Sequence, residues 1–349
     1  MKQLFVSLAS IFTGVVLCLL LAFVLGENPF HVMNVLIEGA FGSLSNLGYT
    51  LFYATPLIFT GLSVAVAFHC GLFNIGAEGQ LYLGALSVTI VGILLPTMPG
   101  FLAIPLGILF SFLGGALWGA IAGALKTYRG SHEVIVTIML NFISYALVGY
   151  AILHVLKNPA SQNPETSDIG TGYFLGALGG LSQNSPANAA FLIALICALL
   201  VWILLFKTSW GFELRLVGSK PETARRAGVN VGRRVVEAMF ISGGLAGLVA
   251  VNEIMGFAHK FRDQFSSGYG FIGIAVALLG RNRPFGIVIA AVVFGALQKG
   301  SLELEIDTEK ITRDLAGVMQ ALIILFVASE SYWLKLASKF SARWRVART

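Results

Sequence analysis

Three polar side chains stand close together where the chain offers little else but apolar residues. Asn74, Glu78 and Gln80 fall within the run Gly71-Leu-Phe-Asn-Ile-Gly-Ala-Glu-Gly-Gln80, between the mostly apolar stretches Leu57 to Phe68 and Leu81 to Leu95. Their amide and carboxylate oxygens could accept hydrogen bonds from a hydroxyl-bearing solute, and Phe73 could offer a flat apolar surface to the rest of it. The same groups could equally bond the backbone donors and acceptors that a broken helix leaves free, and one side chain can do both. An ionisable group at membrane depth costs about 2.5–3.5 kcal/mol even on a lenient insertion scale, so it usually lines a functional cavity. Gly71, Gly76 and Gly79 argue against a plain helix here. Irregular backbone at that depth is tolerated only where protein or a water-filled path surrounds it. Asn141, inside a later apolar stretch, is a further path candidate, with bridging between helices as its plainer role.

The elements that must position these residues are membrane helices. Of 349 residues, 56% are hydrophobic and 11% charged, with mean hydropathy +0.83; soluble domains carry roughly 25% charge. The expected fold is an all-α polytopic membrane protein forming one transmembrane domain over residues 1–349. Windows of about 20 apolar residues place about ten transmembrane helices, near 4–26, 48–68, 72–95, 101–125, 134–156, 188–206, 235–252, 268–280, 284–299 and 315–330. The first exceeds a signal-peptide core and no small-residue cleavage site follows it, so a retained span is expected. Gly115-Ala-Leu-Trp-Gly119-Ala-Ile-Ala-Gly123 presents small residues at four-residue spacing, a face for close helix packing. Cys18, Cys70 and Cys197 lie far apart, without metal spacing, and no disulfide is expected.

Ten spans put both termini on one side. Seventeen of the 23 Lys and Arg fall on that side and six on the other, so the positive-inside rule makes both termini cytoplasmic. The net charge of +6 is then mostly orientation signal and calls for no nucleic-acid partner. The two long external loops are 158–188, rich in Ser, Asn, Gly and Pro, and the acidic 301–314, a solvated helix or a docking element for an extracellular partner.

The main cytoplasmic loop is 207–234. Ser219 can cap a helix, Pro221 suits its first turn, Glu222 favours its N-terminal dipole, and Arg225 and Arg226 lie towards its C-terminus. Gly228 ends it. A helix of about two turns, Pro221 to Ala227, is too short to be stable alone in water. Something must pack on it, either anionic lipid or, the preferred reading, a partner protein.

The pattern Gly218-Ser-Lys-Pro-Glu-Thr-Ala-Arg-Arg-Ala-Gly-Val229 resembles the coupling loop of ABC importer permeases, in the branch carrying simple sugars, nucleosides and branched-chain amino acids. Phe73 to Gln80, Ser242-Gly-Gly-Leu-Ala-Gly247 and Gly270-Phe-Ile-Gly-Ile-Ala-Val-Ala-Leu-Leu-Gly280 resemble the larger permease of bacterial nucleoside importers. The resemblance implies a type II ABC importer-like permease in the bacterial cytoplasmic membrane, translocating nucleosides by alternating access. It implies two ATPase subunits, a second and often non-identical permease, and an external substrate-binding protein. No cofactor would be bound by this chain; ATP and Mg would sit on the ATPase. The substrate path would pass Phe73, Asn74, Glu78, Gln80 and Asn141. Gly218, Pro221, Glu222, Ala224, Arg225, Ala227 and Gly228 would meet the ATPase. Arg226 departs from the family, which often has an aromatic residue there.

Other motifs carry less. Gly268-Tyr-Gly270-Phe-Ile-Gly273 matches a dinucleotide fingerprint but follows no strand and lies in an apolar span. No G-x-x-x-x-G-K-[ST] occurs, so energy for transport would come from elsewhere. The five His residues form no H-x-x-x-H pair. An ion-coupled secondary transporter is a rival, with only Glu78, Glu237 and Glu253 as candidate coupling carboxylates. A membrane enzyme would need His, Asp or Ser clustered at one depth, and no such set is seen. Within the importer reading, a simple sugar or another small polar solute is the alternative substrate.

Overall fold

The computed structural model describes residues 13, 16–24, 26–182, 184–308, 317–318, 321–322 and 325. The described residues are helical with connecting loops and carry no strand beyond isolated bridges. Among the described residues, seven helices are long and apolar enough to cross a membrane. Most of the expected first and tenth spans lies outside the described residues.

The chain forms two compact units. In the unit of residues 51–295, most of α2 (Leu44–His69) leads to an irregular stretch and then α3 (Ala77–Leu94). α4 (Gly100–Arg129) and α5 (Glu133–Tyr150, extended as a π-helix to Val155) follow. Residues 156–189 lead to α6 (Ala190–Lys207), α7 (Ser209–Ser219) and α8 (Pro221–Arg226). α9 (Val231–Gly247) runs on into a π-helix, Val251–Ala258. α10 (Tyr269–Leu279) is only 11 residues long, and α11 (Pro284–Asp307) begins in this unit. The unit of residues 1–50 and 296–349 contains α1 (Pro29–Phe41) and the far end of α11.

The small-residue face on α4 does the packing its spacing predicts. A Cβ on Gly115 would stand 2.2 Å from the Gly243 carbonyl, and one on Gly247 2.2 Å from the Ser111 carbonyl. α4 and α9 therefore touch backbone to backbone, which only glycine permits.

Three boundaries differ from the sequence-based expectation. The third span starts at Ala77, not 72, because the glycines and Asn74 hold residues 72–76 out of the helix. α7 precedes α8, where no helix was expected; its mixed sequence Ser-Trp-Gly-Phe-Glu-Leu-Arg-Leu hides its helical face. The ninth span does not stop at 299 but continues to Asp307. Ser301–Asp307 thus prolongs α11, with Lys299 bonded to Glu303 one turn on, and 309–314 of the expected acidic loop lie outside the described residues.

Candidate functional site

The break between α2 and α3 creates the accounting problem that the polar residues solve. Leaving the helix at residue 70 frees backbone groups, and α3 begins with orphan N–H donors at its first turn. Asn74, fully buried, accepts the Gly76 N–H at 2.9 Å and donates to Gln80 Oε1 and to Ser242 Oγ, each at 2.8 Å. Gln80 returns a bond to Asn74 Oδ1 at 3.2 Å. Ser242 donates in turn to the Ser63 carbonyl at 2.7 Å. Asn141, on α5, accepts the Gly79 N–H at 2.8 Å and donates to the Ile75 carbonyl at 3.0 Å. These three amides thus tie the break to α2, α5 and α9. Phe73 is half-buried, its ring 5.2 Å from Phe68.

Glu78 faces a second helix start. Its Oε2 accepts the Gly270 N–H of α10 at 2.6 Å, and the Ser266 hydroxyl bonds the same carboxylate. Ser266 Oγ also accepts the N–H groups of Gly268 at 3.2 Å and Tyr269 at 3.3 Å. The carboxylate therefore sits at the positive ends of two helices, its own and α10. The approach requires glycine: a Cβ on Gly270 would be 2.4 Å from Glu78 N. The next residue back, Tyr269, bonds Glu253 through its hydroxyl, and Asn252 donates to Glu253 at 3.1 Å. Two buried carboxylates thus hold successive residues of one helix start.

The helix start that Glu78 holds belongs to a short helix. The other end of α10 turns at Asn282, whose carbonyl is 3.0 Å from His69 Nε2 at the end of α2; Arg281 and Arg283 flank it and belong at a membrane surface. Eleven residues rise about 16 Å, half of a hydrocarbon core of about 30 Å. Glu78 therefore stands about 16 Å along α10 from that turn, joined to the turn at Gly71 by the irregular residues 72–76.

That turn touches the end of α7. A Cβ on Gly218 would stand 2.3 Å from the His69 carbonyl and 2.7 Å from Gly71 N. α8 follows directly, shorter by one residue than expected: Lys220 takes the N-cap position, Ser219 bonds back to Leu216, and Ala227 is the C-cap. Gly228 has φ +81°, and Val229 N bonds the Ala224 carbonyl at 3.0 Å. Ala224 is buried, while Glu222 and Arg225 are exposed and paired at 2.8 Å. A cavity of about 500 Å³ beside the helix is lined by Lys126, Arg225, Asn230 and Val235, among others.

Glu237, the other candidate ion-coupling carboxylate, is held by Trp210 at 2.8 Å and by Arg233 and Arg234. Among the described residues no three His, Cys, Asp or Glu side chains converge as metal ligands would. Sequence reasoning missed Ser266 and Gly270 as partners of Glu78. A serine two residues before a glycine and an apolar helix is the signal that marks Ser266.

The family described as the branched-chain amino acid transport system / permease component matches residues 46–328. The chain belongs to this family. It is a transport-system permease, which disposes of the membrane-enzyme alternative. It is 35% identical over 333 residues to the guanosine ABC transporter permease protein NupP of Bacillus subtilis (strain 168), covering 94% of each chain. It is 34% identical to the nucleoside ABC transporter permease protein NupB of Lactococcus lactis subsp. cremoris, over 94% of this chain and 91% of that one. The glucose ABC transporter permease protein TsgB13 of Haloferax volcanii is 32% identical, over 92% of this chain and 84% of its own.

Proposed function

We propose that this chain is a permease subunit of an ATP-driven ABC importer that carries nucleosides across the bacterial cytoplasmic membrane. The observation that carries this reading is the near full-length similarity to two permeases named for guanosine and for nucleosides. The site chemistry supports it. Helix N-termini inside a transporter are natural receptors for an anionic substrate, but here Glu78 already occupies them. That arrangement suits an uncharged solute.

In this reading the chain is one transmembrane domain of about ten spans with both termini cytoplasmic. The path passes the segment from Phe73 through Asn74 and Glu78 to Gln80, with Asn141 bracing it. ATP and Mg bind to separate ATPase subunits, which grip Gly218, Pro221, Glu222, Ala224, Arg225, Ala227 and Gly228. A second, paralogous permease completes the pore, and an external binding protein delivers the solute. ATPase closure moves α8, and the segment around 73–80 rearranges to switch access from outside to inside. The similarity to the glucose permease favours a second substrate class, a simple sugar.

Uptake of radiolabelled guanosine by cells carrying the whole transporter tests both. Competition by unlabelled nucleosides and not by glucose is the expected result; competition by glucose alone would move the assignment to sugars. Deleting residues 221–227 should abolish uptake while leaving the protein in the membrane, and surviving uptake would sink the coupling role.

A further inference from the structure

Beside Glu78 the structure gathers a set of aromatic rings that neither the broken segment nor the coupling loop uses. Tyr82 lies one helical turn beyond Glu78, on the same face of α3. Its ring is 5.1 Å from that of Tyr145 on α5, edge to face at 78°, and 5.0 Å from Phe265. Phe261 closes the group, 5.1 Å from Phe265. Tyr82 and Phe261 are buried, whereas Tyr145 and Phe265 are half-buried. Phe142, three residues before Tyr145, is 62% exposed with its ring 6.4 Å away. Ser266, partly exposed, follows Phe265 and holds both the Glu78 carboxylate and, through its backbone, the Tyr82 hydroxyl.

We propose that Tyr145, Phe265 and Phe142, backed by Tyr82 and Phe261, form the wall on which the flat base of the solute stacks as it passes Glu78. Three features point to that occupant. The rings come from α3, α5 and the stretch before α10, so they are assembled by the fold rather than by one helix face. They converge on the Glu78 carboxylate, while the exposed positions before and after them on α5 are mostly aliphatic: Ile135, Met139, Ile143 and Leu147. A polar edge, Ser266, adjoins the rings, as a solute with a flat apolar part and a hydroxyl-rich part requires. Stacking on aromatic faces is tolerant of which base is present, because every base has a π-face. Such a wall would pass several nucleosides without gripping any one of them. Phe73, with its ring turned to Phe68, is left as a structural neighbour of the path.

This inference rests on the nucleoside reading, and the test separates the two. The complete transporter is placed in proteoliposomes with its binding protein, and uptake of a purine and a pyrimidine nucleoside is measured with ATP hydrolysis. Wild-type transport of neither nucleoside would count against the substrate class itself. With wild-type transport present, Tyr145→Leu should lower purine uptake about tenfold, and pyrimidine uptake less, because the larger ring stacks more. Tyr145→Phe should stay within about twofold of wild type. Phe142→Leu, at an exposed position that bears no packing load, should show the same purine bias in smaller measure. A loss equal for both nucleosides, or no loss in either leucine variant, would overturn the proposal.

Discussion

The two segments that the sequence marks most clearly are built on opposite plans. Residues 72–80 are mostly buried, irregular and then helical, and the polar side chains there have protein partners. Residues 218–229 are mostly exposed around the buried Ala224, and the ion pair of Glu222 with Arg225 lies at the surface. The first segment is held by bonds to other helices; the second closes on itself by a turn and leaves its charged side chains at the surface, where the proposed ATPase would meet them. A substitution should therefore cost stability in the first and coupling in the second.

The sharpest way to break this contrast is Gly270→Ala. The new Cβ would collide with the α3 backbone at Glu78, and a forced separation there should cost about 3 kcal/mol. Thermal unfolding of the purified protein in detergent reads it, and an unchanged midpoint would show that the two helix starts are not locked together. Asn74→Ala comes next. It strips the Gly76 N–H of its acceptor and leaves Gln80 and Ser242 short of a partner, a loss of about 2 kcal/mol by the same assay. Arg225→Ala should behave in the opposite way. An exposed pair contributes under about 1 kcal/mol, so the midpoint should barely move while ATP-driven uptake falls several-fold. Loss of stability without loss of uptake would reverse the comparison.

The smallest effect belongs to the long loop before α6. Glu165 bonds Lys260 at 2.9 Å, and that ammonium holds its carboxyl below the usual carboxylate range. A lowered value in the folded state means the pair contributes at neutral pH, and its contribution is lost as pH falls through the folded-state value. Proteolytic cleavage within residues 158–188 should therefore speed up in acid, and Glu165→Gln should flatten that dependence. Equal acid sensitivity in both proteins would remove Glu165 from the account.

The spans were legible because a long apolar run has few other uses, and the break was legible because glycines and an Asn interrupt one. What the run bonds to was not. Gly270 lies 192 residues from Glu78, and nothing in a local pattern announces a partner so distant. The aromatic wall escaped for the same reason, since α3 and α5 each contribute a tyrosine that looks like ordinary core. Helix α7 was hidden by its mixed composition. The acidic residues after 299 read as a solvated helix of their own, and only the Lys299–Glu303 pair shows residues 301–307 to be the far end of α11.

The contact between Gly218 and the turn at Gly71 has a mechanical meaning. Side chains between two moving parts act as springs, changing rotamer and absorbing displacement before passing it on. Here there is no side chain on either surface, and the separation leaves no room for one. A displacement of Gly218 towards this turn would therefore pass to residues 72–76 directly, backbone against backbone, with no rotamer change to absorb it.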